Sequence, residues 1–267
     1  MKTRVISASV LIIIVVSCFF ISPISRIALL AAAAILAARE MCNALEHQEL
    51  KCCRWILYVY AAAEAALIYF EADTIISEAL FFACIFAILF AGIVSQDIKG
   101  KGAVSSLAVL VYPLVPFIFI MRFAMLKDNL WVPVFAIGCI STWCCDAFAL
   151  FGGMLFGKHK CAPHVSPNKT IEGCVTGAVF AVIAGVILYF CLRANYNVSL
   201  FVCALTAFIC STFGQIGDLA ASLIKRMVDI KDYSNLIPGH GGVVDRTDSL
   251  MFSIPAAYFC LAIAGVL

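Results

Sequence analysis

Charge is what this sequence has least of. Only 13% of its 267 residues are Asp, Glu, Lys or Arg, whereas 64% are hydrophobic and the mean hydropathy is +1.06. A soluble domain carries about a quarter charged residues, so a water-solvated globular protein is excluded, and an all-α polytopic integral membrane protein is expected. The net charge of +2 is too small to suit a nucleic-acid partner. Paired cysteine motifs are missing too: the chain has 14 cysteines but no Cys-x-x-Cys. Many lie inside apolar runs (among them Cys18, Cys84, Cys139, Cys174, Cys191, Cys203 and Cys260), where a thiol behaves as a small hydrophobe and not as a zinc or disulfide partner. The opening "MKTRVISASVLIIIVVSCFFIS" lacks a small-residue cleavage site and is read as a retained first helix. An inverted internal repeat, the mark of many secondary transporters, is not seen either.

What is present is a series of apolar stretches long enough to cross a bilayer, which takes roughly 17–25 residues. Nine are expected, at 5–22, 24–38, 55–70, 75–95, 103–125, 130–155, 172–192, 199–224 and 249–267. The second is short and separated from the first only by Pro23, as in a tight helical hairpin. About five spans fall in an N-terminal region, 1–130, and the rest in a C-terminal catalytic region, 131–267, with its polar loops. Nine spans put 14 of the 18 Lys and Arg residues on one side, leaving Arg26, Arg122, Lys127 and Arg193 on the other. That asymmetry places the basic side and the N-terminus in the cytoplasm, and the C-terminus outside.

The scarce charge is concentrated. "SLIKRMVDIKDYSNLIPGHGGVVDRTD", Ser222 to Asp248, holds Lys225, Arg226, Lys231, Arg246 and four aspartates, with Asp218 just upstream. Asp218, Ser222, Lys225, Asp229 and Asp232 are spaced 4, 3, 4 and 3 apart, so a helix continuing past the membrane would carry all of them on one face. "IPGHGG" then breaks any helix and offers a loop whose backbone N–H groups could form an anion nest around Gly241 and Gly242. Asp245 and Asp248 follow three apart, on one face of the next helix start. Ionisable groups at membrane depth are expensive and usually face a polar cavity. Oxygen ligands such as Asp218, Asp245 and Asp248 suit Mg²⁺. Carboxylates for a metal beside fixed cations are what phosphoryl or nucleotidyl transfer needs.

A second polar patch, on the same side, contains Asp146 within an apolar run, the basic Lys158, Lys160 and Lys169, and "SPNKTIEG", read as a turn at Ser166-Pro167 leading to a helix start with Thr170 and Glu172. "GGMLFGKH" nearly spells a phosphate-binding loop, but His159 stands where a hydroxyl is needed and no strand precedes it. His47, His159 and His164 read as solvated loop residues. Glu64 could be a buried functional acid or a packing residue near the interface.

The Ser222–Asp248 stretch resembles the signature of the phosphatidate cytidylyltransferase (CDP-diacylglycerol synthase) family at Ser222, Lys225, Arg226, Lys231, Asp232, His240, Gly241, Gly242, Asp245, Arg246 and Asp248. "SPNKTIEG" resembles that family's second motif. The resemblance covers about residues 140–267. It implies a membrane-bound transferase, in a multi-helix homodimer, that makes CDP-diacylglycerol and pyrophosphate from CTP and phosphatidic acid with Mg²⁺, its site open to the cytoplasm. It further implies Asp218 and Asp245 as metal ligands, with Asp146 and Asp248 nearby. Lys225, Arg226, Lys231 and Arg246 would steady the triphosphate and the leaving pyrophosphate. Ser166, Lys169 and Thr170 would bind nucleotide or lipid phosphate, and His240 either touches phosphate or shapes its loop. The chain departs from the family pattern at Phe148, Leu150 and Met154, which bears on the nucleotide pocket. The alternatives are the same chemistry on a prenyl glycerol phosphate, or an ion or metabolite transporter.

Overall fold

A computed structural model describes residues 2–237, 239 and 241–267, with side chains from Ser9 onward. In chain order the helices are α1 (Lys2–Ile21), α2 (Pro23–Glu46), α3 (Arg54–Tyr69), α4 (Thr74–Val94), α5 (Lys99–Val109), α6 (Val115–Ala124) and α7 (Trp131–Phe156). Two short strands follow, β1 (Lys160–Ala162) and β2 (Ser166–Thr170), and then α8 (Ile171–Leu192), α9 (Leu200–Met227), α10 (Val244–Thr247) and α11 (Leu250–Ile263). A kink over Leu110–Leu114, where Tyr112 is extended (φ −142°, ψ 114°), joins α5 to α6.

Among the described residues, six helical rods are long and apolar enough to cross a membrane: Pro23–Glu46, Thr74–Val94, Lys99–Ala124, Trp131–Phe156, Ile171–Leu192 and Leu200–Met227. The chain is thus a helical integral membrane protein, but by this measure the expected nine spans are not reached. Of the other three expected segments, all helical, α1 runs Lys2–Ile21 with 20 residues, whereas α3 has only 16 and α11 only 14. The second segment is longer than its expected 24–38. Ser22 caps it by accepting the Ser25 N–H, Pro23 opens its first turn, and an alanine-rich run of high helix propensity carries it through Arg39 and Glu40 to Glu46.

The chain divides into two compact units. The first comprises Met1–Met125 and Met227–Arg246, and the second Leu126–Arg226 and Thr247–Leu267. In the first, Met41, Leu57, Ile88, Leu110, Leu114, Phe117 and Met121 are buried. Polar contacts cross it: Cys53 N–H donates to Ser106 Oγ at 2.7 Å, and Arg26 Nη1 donates to the Ala124 carbonyl at 2.8 Å. The outer face of α4 exposes Phe82, Phe86, Phe90 and Ile93, a surface suited to lipid.

The second unit is built on close contact of α7 with α8. Phe148 stacks on Phe180 with ring centroids 3.7 Å apart, and at Gly177 an added Cβ would lie 2.6 Å from the Cys145 carbonyl oxygen. Small residues let membrane helices approach this way. α9 and α11 join through Cys210, whose thiol donates to the Ser253 carbonyl at 3.3 Å.

Two expectations about local structure fail. α9 ends at Met227, and Asp229 adopts a left-handed φ of 55°, so only Asp218, Ser222 and Lys225 share the helical face expected to reach Asp232. "SPNKT" is a strand, not a turn: β2 pairs antiparallel with β1, and the turn lies at residues 163–165. The physical reason is pairing that spacing does not reveal, since Lys160 and Thr170 meet in register.

Candidate active site

In the second unit, the face of α9 meets the β-hairpin and the start of α11. Lys169, on β2, reaches across to α9. Its ammonium donates to Asp218 Oδ2 at 2.8 Å and to the Gln215 carbonyl at 3.3 Å, with only 14% of its side chain exposed. Gln215 in turn donates through Nε2 to the Cys174 carbonyl at 3.3 Å, tying α9 to α8. Gly217 makes room for the chain around Asp248, whose carbonyl oxygen would clash with an added Cβ at 2.5 Å.

Asp248 is buried, and its Oδ1 accepts the Ser249 N–H at 2.8 Å. Burial pushes its carboxyl up to about 7; the charges of Asp218 and Asp146 push the same way, and the Ser249 N–H and Lys225 oppose them. Asp146, Asp218 and Asp248 therefore form an acidic group in mutual repulsion, answered by Lys169 and Lys225. Oxygen-only donors of this kind suit a hard cation, which gathers phosphate oxygens and water to complete its shell. Among the described residues no three His, Cys, Asp or Glu side chains are drawn close enough to enclose an ion by themselves. Such donors would suit Mg²⁺ with other oxygens completing its shell.

Other residues expected in the site have more local tasks. Thr170 is buried and caps α8 by accepting the Gly173 N–H at 3.2 Å. Ser166 is half-buried on β2, opposite Ala162. The Glu172 carboxylate accepts the N–H groups of Lys158 at 3.1 Å and His159 at 3.2 Å and also pairs with the His159 ring, so His159 braces the hairpin although it is exposed. Arg226 Nε donates to the Val165 carbonyl at 3.3 Å, joining the end of α9 to the hairpin turn. Ser222 and Lys225 are half-buried on α9.

The glycine loop belongs to the first unit. Asp245 is buried, and its Oδ2 accepts the N–H groups of Tyr233 at 2.8 Å and Gly242 at 3.0 Å. Ile237 N–H donates to the Gly241 carbonyl at 2.9 Å, and Gly239 and Gly241 take φ of 79° and 80°, which a residue with a Cβ rarely adopts. Lys231 and Arg246 are exposed. His240, and Pro238 beside it, lie outside the described residues. Asp245 and Asp248 do not open one helix as expected: Asp245 is in the single turn of α10, and Asp248 sits in the turn between α10 and α11.

One N–H group expected for an anion nest, that of Gly242, is occupied within the protein, as are the two that follow it. Gly242 donates to Asp245, and Val243 and Val244 donate to Glu40 at 3.0 and 2.9 Å. Glu40 is the residue that spacing arguments missed. A signal for it was available, an acid inside an alanine-rich apolar run, but an assumed helix end at residue 38 hid it. Glu64, also in the first unit, is buried with its Oε2 3.7 Å from Arg122 Nη2.

These features define a helical membrane protein that holds an acidic cluster, answered by lysine, where helix ends meet a hairpin. The chain belongs to the cytidylyltransferase family, whose sequence profile it matches over residues 2–264. It is 43% identical over 125 residues to a phosphatidate cytidylyltransferase of Bacillus subtilis (strain 168), a match covering 47% of this chain and 46% of that protein. It is 39% identical over 137 residues to the Staphylococcus haemolyticus (strain JCSC1435) phosphatidate cytidylyltransferase, covering 51% of each. The Staphylococcus aureus (strain COL) protein of the same name is 42% identical over 114 residues, covering 42% of this chain and 43% of that one. The chain thus spans about half the length of the curated relatives it matches.

Proposed function

We propose that this protein is a phosphatidate cytidylyltransferase, converting CTP and phosphatidic acid to CDP-diacylglycerol and pyrophosphate for phospholipid biosynthesis. The observation that carries this is the group Asp146, Asp218 and Asp248 with Lys169 held against Asp218, in a chain of the cytidylyltransferase family. An oxygen of the phosphatidate monoester attacks the α-phosphorus of CTP. The bond from that phosphorus to the bridging oxygen of the β-phosphate breaks, and pyrophosphate leaves. No side-chain nucleophile is needed, because the phosphate monoester is already anionic.

Catalysis is then positioning and charge neutralisation. Asp218 and Asp248, with Asp146, would hold Mg²⁺, and Asp245 is a further candidate. When bound, the ion supplies charge for the triphosphate. Lys225, Arg226, Lys231 and Arg246 are the cations available to steady the triphosphate and the departing pyrophosphate. Lys169 can turn between Asp218 and a substrate phosphate. Ser166, Ser222, Gly241, Gly242 and His240 remain substrate-contact candidates. The protein would act as a homodimer in the cell membrane, with its N-terminus and site on the cytoplasmic side, as the 14 basic residues expected there suggest.

The test is purified protein in detergent with CTP labelled at the α-phosphate and solubilised phosphatidic acid. A labelled lipid product and equimolar pyrophosphate are expected. No lipid-linked label sinks the proposal. Label appearing only with a prenyl glycerol phosphate keeps the chemistry and replaces the acceptor.

A further inference from the structure

We infer that Glu40, on α2, is a positioning residue for the glycine loop between Tyr233 and Val244, and sets how the neighbouring Lys231 and Arg246 are presented. Glu40 is 3% exposed. Its Oε1 accepts the Ser234 hydroxyl at 2.6 Å and the Val243 N–H at 3.0 Å, and its Oε2 accepts the Val244 N–H at 2.9 Å. All three partners come from one short stretch, some 200 residues further along the chain. A buried carboxylate is tolerated only when its lone pairs are met. Here the loop meets them, and the loop is therefore tied to α2.

The arrangement is a double clamp. Asp245 takes the N–H groups of Tyr233 and Gly242, and Glu40 takes those of Val243 and Val244. One acid is local and the other comes from a distant helix. Residues 242–244 cannot move away without uncovering a buried charge. Gly242 belongs to the same device, because an added Cβ would fall on the Glu40 carboxylate. Glu46, at the end of the same helix, pairs with Arg54 and so has a separate anchoring contact. Glu40 spends its oxygens on the loop.

The kinetic arm of the test rests on the proposed cytidylyl transfer; the structural arm does not. Glu40→Gln keeps the volume but turns an amide donor toward either the Val243 or the Val244 N–H. Gly242→Ala keeps Glu40 and displaces it. Hydrogen exchange of the full-length protein in detergent should quicken by at least about tenfold in peptides covering 233–247, the scale of one lost charge-assisted hydrogen bond. Peptides from α7, α8 and α9 should be unchanged. The KM for CTP should rise by about tenfold while kcat falls less, because ordering the loop is then paid on binding. Glu40→Asp should recover part of both effects.

Unchanged exchange at 233–247 in Glu40→Gln overturns the inference. So does faster exchange throughout the chain, or reduced kcat with an unaltered KM, since Glu40 would then serve only overall stability. If the wild-type protein transfers no label from CTP, the proposed function fails, and the exchange experiment alone decides whether Glu40 holds the loop.

Discussion

Lys169 and Asp218 form the most informative pair at the scale of single residues. Asp218 is flanked electrostatically by other carboxylates, and Lys169 is largely buried against it. Removing the lysine leaves the acidic group under-compensated and takes away a phosphate partner. Lys169→Ala should raise the half-saturation concentration for CTP or phosphatidic acid by about ten- to a hundredfold, the range of a hydrogen bond to a charged group, and steady-state kinetics varying each substrate would measure it. Asp218→Asn should cost about two orders of magnitude in turnover, as when one preorganised electrostatic contact is lost. The double substitution should be less than additive, because the two side chains touch. Full additivity would mean that the pair does not act as a unit.

Asp245 makes a different prediction. Its Oδ2 accepts two backbone N–H groups inside the glycine loop. Asp245→Asn would turn charged acceptors into neutral ones, so it should lower stability by about 1–2 kcal/mol as well as lowering activity. A thermal denaturation curve in detergent superimposable on wild type would show that the loop does not depend on that charge.

Between elements, the contact of α7 with α8 is set by how closely two backbones approach. At Gly177, as at Gly173, that approach leaves no room beside a main-chain atom, since a methyl group at Gly177 would sit 2.6 Å from the Cys145 carbonyl. Backbone oxygen cannot swing away as a flexible side chain can. Gly177→Ala should therefore destabilise by about 1–3 kcal/mol, the usual cost of overpacking. Gly100→Ala is the control, because nothing lies within 4 Å of the added Cβ and alanine is the better helix former. Comparing the two midpoints of thermal unfolding tests whether close packing, and not glycine loss in general, is responsible.

On the scale of the whole molecule, charge distribution predicts topology. Nine crossings would put the N-terminus, with 14 of the 18 basic residues, in the cytoplasm and the C-terminus outside. Among the described residues six rods meet the length and hydropathy needed for a span, and α1 is 20 residues long, so the prediction turns on the shorter α3 and α11. Reporters fused to each end, or accessibility of single cysteines placed in successive loops, should find the two ends on opposite sides. Ends on the same side would show that at least one of those short helices does not cross.

The sequence by itself determined the class of the molecule, the position of nearly every helix and most of the candidate chemistry. Hydropathy and helix-breaking residues are local properties, and an acid such as Asp218 in an apolar run stands out wherever the chain goes. The stop of α9 at Met227, the pairing of β1 with β2, and the capture of Asp218 by Lys169, 49 residues away, were decided only by tertiary structure. So was Glu40, whose partners lie about 200 residues distant. Each depends on where a second part of the chain arrives, and a hydrogen bond is lost within an ångström of misplacement. Spacing along one helix carries no information about that arrival.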